Sequence, residues 1–269
     1  MNTTTELSSP QLQKRKSNIF TSSVVWVGLF FITMWHVAMT VPSVLLRKPD
    51  GVHKVAIKWG RRIASFSGTR IHVRNVEKLY KDGPVIILPN HQSLFDIAVL
   101  YTFLDLPFRW MAKAVLFRIP FFGWAMAGAD YIPVERGDSK KALKSMFDAA
   151  ELIQSGKSVI IFPEGTRGGP DGVMLPFKKG AFLLAKKAAV TIQPIVLWGN
   201  QYIIHKNKDH LIQRFYAGDA FAEVLDPIAP EEFANLKSED LSRMLRQRME
   251  EGLQRVQQWE REVLTSDKK

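Results

Sequence analysis

The chain has 269 residues, of which 46% are hydrophobic, and it carries a formal net charge of +11. That length and hydrophobic share suffice for one large α/β domain with an appendage, or for two small domains. The basic balance favours an acidic partner such as anionic lipid, nucleic acid or a phosphorylated substrate. Because the chain contains no cysteine, disulfides, zinc–thiolate sites and cysteine nucleophiles are excluded.

The N-terminal part predicts a polar leader followed by a membrane segment. Residues 1–18 are polar and end in three basic side chains, so we expect a mobile basic leader. The run 19–46 contains no residue that is charged at neutral pH, and we expect Pro42 to divide it. The part before Pro42 is long enough for a transmembrane helix. A buried helix of a soluble protein is the alternative.

Residues 51–67 predict a second, amphipathic helix. Its apolar face carries Val52, Val55, Ala56, Trp59, Ile63 and Phe66, and its basic side carries Lys54, Lys58, Arg61 and Arg62. Such a helix either lies on an anionic membrane surface or packs as an ordinary surface helix on its own domain. Basic residues flank both ends of the run 19–46, which favours cytoplasmic placement of both ends. The run 19–46 can therefore enter one leaflet and return, or it can cross the membrane with residues 47–269 on the cytoplasmic side. Together with the second helix, it is expected to form a membrane-docking helical hairpin over residues 19–67.

From Ile71 onward, short apolar runs alternate with helical patterns, which is typical of an α/β domain. We expect residues 68–269 to form this domain. The predicted strands are Ile71–Val73, Val85–Leu88, Phe108–Met111, Tyr131–Val134, Val159–Phe162, Ile192–Leu197 and Ala220–Leu225. The predicted helices begin near Ser93, run from the cap residue Asp138 to Gly156, and cover Gly180–Val190 and Leu241–Val263.

The first candidate site follows the second predicted strand. His91 lies in the loop at the carboxyl end of this strand, where open α/β sheets place their chemistry. Asp96 lies in the first turn of the next helix, from which it can turn back toward His91. A carboxylate that accepts from one ring nitrogen fixes the tautomer and stabilises the imidazolium, which predicts a general base. The alternative is structural, because Ser93 and Asp96 also have the spacing of a helix capping box.

A second strand-end loop, residues 163–169, follows the fifth predicted strand. Glu164, Thr166 and Arg167 are crowded around Gly165 in this loop. Arginine can grip a phosphate through two parallel N–H bonds, and glycine lets the backbone approach a ligand closely. Glu164 either accepts from a substrate hydroxyl or holds Arg167 in place. A solvated turn with an internal Glu–Arg pair is the structural alternative.

The two loops together resemble a known enzyme family, the glycerolipid acyltransferases. The blocks that carry the likeness are Asn90-His91-Gln92-Ser93-Leu94-Phe95-Asp96 and Phe162-Pro163-Glu164-Gly165-Thr166-Arg167. They stand in the family's order and at its separation, and the likeness is greatest to bacterial 1-acylglycerol-3-phosphate acyltransferases. The resemblance covers roughly residues 70–200. It implies a mixed β-sheet flanked by helices, with the hydrophobic segment at the N-terminus.

The resemblance also implies residue roles in an acyl transfer that forms no acyl-enzyme. It assigns His91 as the general base and Asp96 as the group that orients it. The implied acceptor site consists of Glu164, Gly165, Thr166 and Arg167, with Lys113 and Arg136 as further phosphate-binding candidates. The third family block, which ends at Arg136, departs from the family pattern at Glu135, so the exact acceptor stays open.

The implied reaction makes phosphatidic acid from lysophosphatidic acid and either acyl-CoA or acyl-carrier protein, without a cofactor or a metal. The expected partners are these substrates and an anionic phospholipid membrane. We expect no nucleic-acid partner, because neither an aromatic–basic RNA pattern nor a basic recognition helix is present. The expected location is the inner membrane of the cell, with the catalytic domain on the cytoplasmic side.

Three alternative functions remain open. A member of the same family can use glycerol-3-phosphate or a lyso-amino-lipid as the acceptor. The chain can instead be a non-catalytic membrane-surface protein that binds lipid, or a metal-dependent phosphohydrolase that uses His, Asp and Glu.

The apolar stretch Phe117–Trp124 either lines an acyl groove or packs in the core. Serine-nucleophile, nucleotide-binding and zinc-protease signatures are missing from the sequence.

Overall fold

The computed structural model of the protein describes residues 19–135, 137–169, 171–204 and 214–267. The described helices are α1 (Ile19–Leu45), α2 (Pro49–Phe66), α3 (Asp96–Phe103), α4 (Phe122–Gly128), α5 (Ser139–Gln154), α6 (Lys179–Ala188), α7 (Asn200–Ile203), α8 (Pro230–Phe233) and α9 (Ser238–Ser266). The described strands are β1 (Arg70–Arg74), β2 (Ile86–Pro89), β3 (Phe108–Lys113), β4 (Ile132–Val134), β5 (Ser158–Ile160), β6 (Ile192–Trp198) and β7 (Asp219–Val224). Short 3₁₀ helices cover Val76–Lys78 and Ala114–Arg118.

The seven strands form one mixed sheet in the order β1-β7-β6-β2-β5-β3-β4. The strands β2 to β6 are parallel to one another, whereas β7 is antiparallel to β6 and β1 is parallel to β7. The predicted mixed sheet with flanking helices is therefore confirmed. Because β2 lies between β5 and β6, the loops that leave these three strands meet at one edge of the sheet.

The sheet is covered on both faces, which explains its almost continuous apolar strands. Alternate residues of β2 point to opposite sides, with Ile87 in one hydrophobic cluster and Ile86 and Leu88 in the other. The first cluster includes side chains of α2, α3 and α4, and the second includes side chains of α5, α6 and α9. All three β2 residues are fully buried.

The seven predicted strands lie within two residues of the observed ones. The helix predicted after Asp138 is also present, and the Asp138 carboxylate accepts from the backbone N–H groups of Lys140 and Lys141. The predicted start of α3 near Ser93 was wrong, because the helix begins at Asp96. The Ser93 hydroxyl instead accepts from the Phe95 N–H and donates to a distant backbone carbonyl.

The predicted break at Pro42 was also wrong, because α1 continues through Pro42 as one helix. The helix ends at Leu45, within one turn of Pro42, so the missing N–H and the ring of the proline disturb only the last turn. One face of α1 packs on α2, where Trp59 Nε1 donates to Thr33 Oγ1 at 3.1 Å. The ring of Phe66 lies against Gly28, where a β-carbon would collide with it.

The outer face of α1 is apolar and exposed, and the segment Phe20–Leu45 is long and apolar enough to cross a membrane. The exposed apolar side chains are Phe20, Val24, Val27, Phe30, Phe31, Trp35, Met39, Val41 and Leu45. The apolar face of α2 is turned inward, with Val52 and Ile63 in the same core cluster as the sheet. Of the two alternatives for α2, this arrangement favours packing on its own domain over lying on a membrane surface. The predicted leader 1–18 lies outside the described residues.

Candidate active site

The two predicted loops form one site because β2 and β5 are adjacent and parallel. The backbone N–H of Gly168 donates to the His91 carbonyl at 2.9 Å. In the opposite direction, the His91 N–H donates to Glu164 Oε1 at 2.8 Å. The hydrogen bonds between the loops fix the His91 backbone relative to residues 163–169.

His91 and Asp96 are paired in the way that the sequence suggested. His91 Nδ1 lies 2.7 Å from Asp96 Oδ2, and the residues are 8% and 0% exposed. The same Oδ2 accepts from the N–H groups of Gln92 and Ser93 at 2.7 and 2.9 Å. The backbone donors of the loop therefore keep the carboxylate in place against His91. Asp96 is not the third helical residue of a capping box begun by Ser93, because α3 begins at Asp96 itself.

The ring of His91 is held on a flat aromatic support. It stacks on Phe162 with a centroid distance of 3.8 Å and an interplanar angle of 13°. Because Nδ1 is bonded to Asp96, Nε2 is the ring nitrogen that is left to take a proton, with its lone pair available when the imidazole is neutral. Hydrogen-bond pairing and stacking thus define both the tautomer and the plane of the ring.

His91 lines a cavity of about 310 Å³ that it shares with two cationic side chains, Lys113 and Arg167. Lys113 ends β3, and Arg167 lies in the loop after β5. Burial lowers the pKa of the Arg167 guanidinium, and the nearby Asp96 carboxylate opposes this shift. The apolar part of the wall includes Val37, Val52, Val55, Trp59, Ile97, Leu116, Phe122 and Met126. The cavity thus places an imidazole and two cations beside an apolar chamber.

The membrane-type helix α1 contributes a polar stripe to this cavity, which the sequence analysis missed. Thr33, His36 and Thr40 all line it. The His36 Nδ1 atom lies 2.8 Å from the carbonyl of Ile32 and is thereby bonded within its own helix. The available signal was the i, i+3, i+7 spacing of Thr33, His36 and Thr40 within an apolar run, which places them on one helix face.

The stretch Phe117–Trp124 contributes less to the cavity than the acyl-groove hypothesis required. Phe122 reaches the cavity wall. Phe121 and Trp124 are exposed and pack edge to face at 5.0 Å. They therefore extend the apolar outer surface instead of lining the cavity.

Glu164 lies beneath the loop and supports it. It is 1% exposed, and its second oxygen accepts from the Leu175 N–H at 2.8 Å. Arg246 of α9 holds the same region by donating to the carbonyls of Met174 and Leu175. Burial raises the pKa of the Glu164 carboxyl to about 7, against the lowering effect of the two backbone donors. These contacts indicate that Glu164 shapes the loop instead of touching the acceptor.

The remaining predicted site residues lie elsewhere. Gly165 has a φ of +66°, which glycine adopts without strain. Gly165 and Thr166 line a second cavity, of about 670 Å³, on the side of the loop where Lys178 and Lys179 lie. Arg136 falls outside the described residues. The structure therefore brings together His91, Asp96, Lys113 and Arg167, and places Gly165 and Thr166 on a neighbouring surface.

An ion pair fastens α2 to the sheet beside the site. Arg109 of β3 is fully buried, and its guanidinium donates to Asp50 at 2.5 Å. Lys157 also reaches both Asp50 oxygens at 3.3 Å. The side-chain hydrogen bond from Arg109 lowers the pKa of Asp50, although partial burial opposes this effect. The helix α2, which forms one wall of the cavity, is therefore attached to β3.

Comparison with known proteins places this site in a family. The Acyltransferase family matches residues 70–198. A putative 1-acyl-sn-glycerol-3-phosphate acyltransferase of Caenorhabditis elegans is 32% identical over 190 residues, which cover 68% of this chain and 68% of that protein. The chain belongs to the acyltransferase family. The matched region contains the His91–Asp96 pair, Lys113 and the loop 163–169.

Two further acyltransferases show how far the likeness extends. The crystal structure of the 1-acyl-sn-glycerophosphate acyltransferase PlsC from Thermotoga maritima is similar, with a TM-score of 0.73 and 26% identity. That match covers 88% of this chain and 96% of the bacterial chain. The chloroplastic 1-acyl-sn-glycerol-3-phosphate acyltransferase LPAT1 of Arabidopsis thaliana is 33% identical over 207 residues, 75% of this chain. The chain spans 57% of the length of that plant acyltransferase.

Proposed function

We propose that the protein is a membrane-associated 1-acyl-sn-glycerol-3-phosphate O-acyltransferase. It transfers an acyl group from an acyl-CoA or acyl-carrier-protein thioester to the sn-2 hydroxyl of lysophosphatidic acid. The observation that carries this proposal is the shared cavity, in which the Asp96-paired imidazole of His91 lies with Lys113 and Arg167. The names of several relatives and of the PlsC structure support the same reaction.

The chemistry follows from the dyad. His91 Nε2 takes the proton from the acceptor hydroxyl as its oxygen attacks the thioester carbonyl. The C–S bond then breaks, the electron pair leaves with sulfur, and the thiolate takes the proton back from the imidazolium. Asp96 stabilises that imidazolium at 2.7 Å. General-base assistance of this kind contributes about 10²- to 10⁴-fold in rate.

The two cations account for the preference for a phosphorylated acceptor. A guanidinium binds phosphate through parallel charge-assisted hydrogen bonds, and an ammonium adds a second positive charge. Both groups line the same cavity as His91, so a bound phosphate directs the neighbouring hydroxyl toward the base. The apolar chamber then receives an acyl chain.

We place the enzyme at the inner membrane of the cell, with the catalytic domain on the cytoplasmic side. The exposed apolar face of α1 supports membrane association. Arg47, Lys48 and Lys54 follow α1 closely and are exposed. Positive residues next to a membrane segment favour the cytoplasmic side.

The experiment is product identification by mass spectrometry. The purified full chain in lipid vesicles is incubated with lysophosphatidic acid and oleoyl-CoA, and in parallel with oleoyl-carrier protein. We expect phosphatidic acid from at least one donor, and none above background from His91→Ala, whose vesicle binding and unfolding temperature stay unchanged. Equal product from His91→Ala would remove the dyad from the mechanism.

An acceptor panel tests the substrate assignment separately. Glycerol-3-phosphate and a lyso-amino-lipid are offered with the same labelled donor. We expect lysophosphatidic acid to give the largest kcat/KM, because its phosphate meets two cations and its chain meets the apolar wall. A larger kcat/KM for either rival acceptor would reassign the acceptor. If the thioester is not consumed with any of the three acceptors, the result supports a non-catalytic lipid-binding role.

A further inference from the structure

One oxygen of Asp96 is held by a side chain outside the sequence blocks that define the family likeness. Asn200 Nδ2 donates to Asp96 Oδ1 at 2.7 Å. Both residues are fully buried. Since His91, Gln92 and Ser93 all donate to Oδ2, Asn200 is the donor that the described part of the chain provides to Oδ1.

Asn200 reaches this position because β6 lies next to β2 in the sheet. It begins α7 directly after β6, and Gly199 makes the turn with a φ of +88°. The ends of the two strands are bridged by Asn90, whose side chain donates to the Leu197 carbonyl and accepts from the Leu197 N–H. A third strand-end loop is therefore fixed against the loop that carries the dyad.

The amide of Asn200 is oriented by Asp96 itself. Its other polar atom, Oδ1, is buried, and no donor among the described residues reaches it. The reverse orientation would place two acceptor oxygens against each other, so the carboxyl oxygen of Asp96 selects the observed orientation of the amide. A hydrogen bond to a buried charged group is among the stronger kinds in proteins.

We infer that Asn200 is a positioning residue that completes a hydrogen-bonded chain of three side chains, His91–Asp96–Asn200. Donors on both oxygens prevent the carboxylate from turning about its Cβ–Cγ bond, so Oδ2 stays on His91 Nδ1 and Nε2 keeps facing the substrate. The inference rests on the proposed acyl transfer. It adds a third side chain to the two that the sequence blocks supplied.

The test compares Asn200→Leu with Gln201→Met in the full chain in vesicles. Gln201 is the matched control, because it is a buried amide on the same short helix whose side-chain polar atoms contact no described donor or acceptor. We expect Asn200→Leu to lower kcat about 10- to 100-fold, from the loss of a hydrogen bond to a charged group. The KM values of both substrates should change less than about twofold, because Asn200 does not line the substrate cavity.

The pH profile separates positioning from a structural role. In Asn200→Asp, two buried carboxyl groups this close share one proton, so position 200 can still donate an O–H to Asp96 Oδ1. We expect the kcat of Asn200→Asp to exceed that of Asn200→Leu and to fall as rising pH removes the shared proton. Unchanged kcat in Asn200→Leu, an equal loss in Gln201→Met, or a kcat of Asn200→Asp no higher than that of Asn200→Leu would each overturn the inference.

A spectroscopic measurement keeps this result independent of the proposed function. With ¹⁵N-labelled histidine, the proton on His91 Nδ1 that is shared with Asp96 gives a far-downfield resonance. We expect this resonance in the wild type and in Gln201→Met, and its displacement or loss in Asn200→Leu. If the wild type shows no acyl transfer, the proposed function fails, but the spectroscopic comparison still tests whether Asn200 positions Asp96. An unaltered resonance in Asn200→Leu contradicts the positioning role of Asn200.

Discussion

The buried carboxyl of Glu164 makes folding stability depend on pH in a predictable direction. Burial raises its pKa from 4.5 to about 7 in the folded protein. Between these two values the folded state binds the proton more tightly than the unfolded chain does. The contribution of Glu164 to the free energy of unfolding is therefore greatest below about pH 4.5 and is lost as pH rises through about 7. The difference between the two values corresponds to on the order of 3 kcal/mol.

Glu164→Gln removes this titration while keeping the size of the side chain. The variant also loses one acceptor for a backbone N–H, which lowers its stability by an amount that does not depend on pH. The assay is urea unfolding of both proteins in the same detergent between pH 4 and pH 8. We expect the stability of the wild type relative to the variant to decline by on the order of 3 kcal/mol from pH 4.5 to pH 7.

The comparison cancels the other titrating groups. Burial lowers the pKa of His53 to about 4, which gives the opposite slope between that value and 6.5, but His53 is present in both proteins. Glu151→Gln, on the exposed face of α5, controls for the loss of any carboxylate. A constant difference between wild type and Glu164→Gln across this range would refute the reasoning, as would an equal slope in Glu151→Gln.

Three other changes test separate parts of the structure. Asp96→Asn should lower kcat by about 10³- to 10⁴-fold, because an amide does not fix the reactive tautomer; steady-state kinetics with a loss under tenfold would argue against the dyad. Asp50→Ala should reduce the free energy of unfolding by about 1 to 2 kcal/mol, because the buried Arg109 loses its carboxylate partner while the exposure of Asp50 weakens the pair. An unchanged urea midpoint contradicts this. Gly165→Ala should reduce the free energy of unfolding by about 1 kcal/mol, because alanine is strained at the positive φ of this position. An unchanged unfolding temperature in a thermal scan counts against that strain.

The sheet and the dyad were predictable because their signals are local. The strands are short apolar runs bounded by turn residues, and a run such as Ile86–Leu88 permits few other structures when both of its faces are buried. The approach of Asp96 to His91 follows from the reach of one loop and one helical turn. The carboxyl ends of parallel strands lie at the same edge of a sheet, which predicts that the two loops meet. The structure adds that β2 and β5 are direct neighbours, so the loops are in contact.

The details that the sequence did not reveal depend mostly on contacts between distant parts of the chain. Pro42 is tolerated because α1 ends within one turn of it, and hydropathy does not show where the helix ends. The position of Glu164 depends on Leu175, and the second support of Asp96 depends on Asn200. Neither partner follows from spacing within a motif. Arg109 likewise looks like an ordinary strand residue until Asp50 of α2 is placed beside it.

The central claim is that the base and the phosphate-binding cation face one acceptor in one cavity. Its most direct test is the ratio of kcat/KM for lysophosphatidic acid to kcat/KM for the matched 1-monoacylglycerol, in wild type and in Arg167→Ala. We predict that Arg167→Ala lowers this ratio by about 10- to 100-fold, through the phosphorylated acceptor alone. An unchanged ratio, or an equal loss for both acceptors, would contradict the shared site.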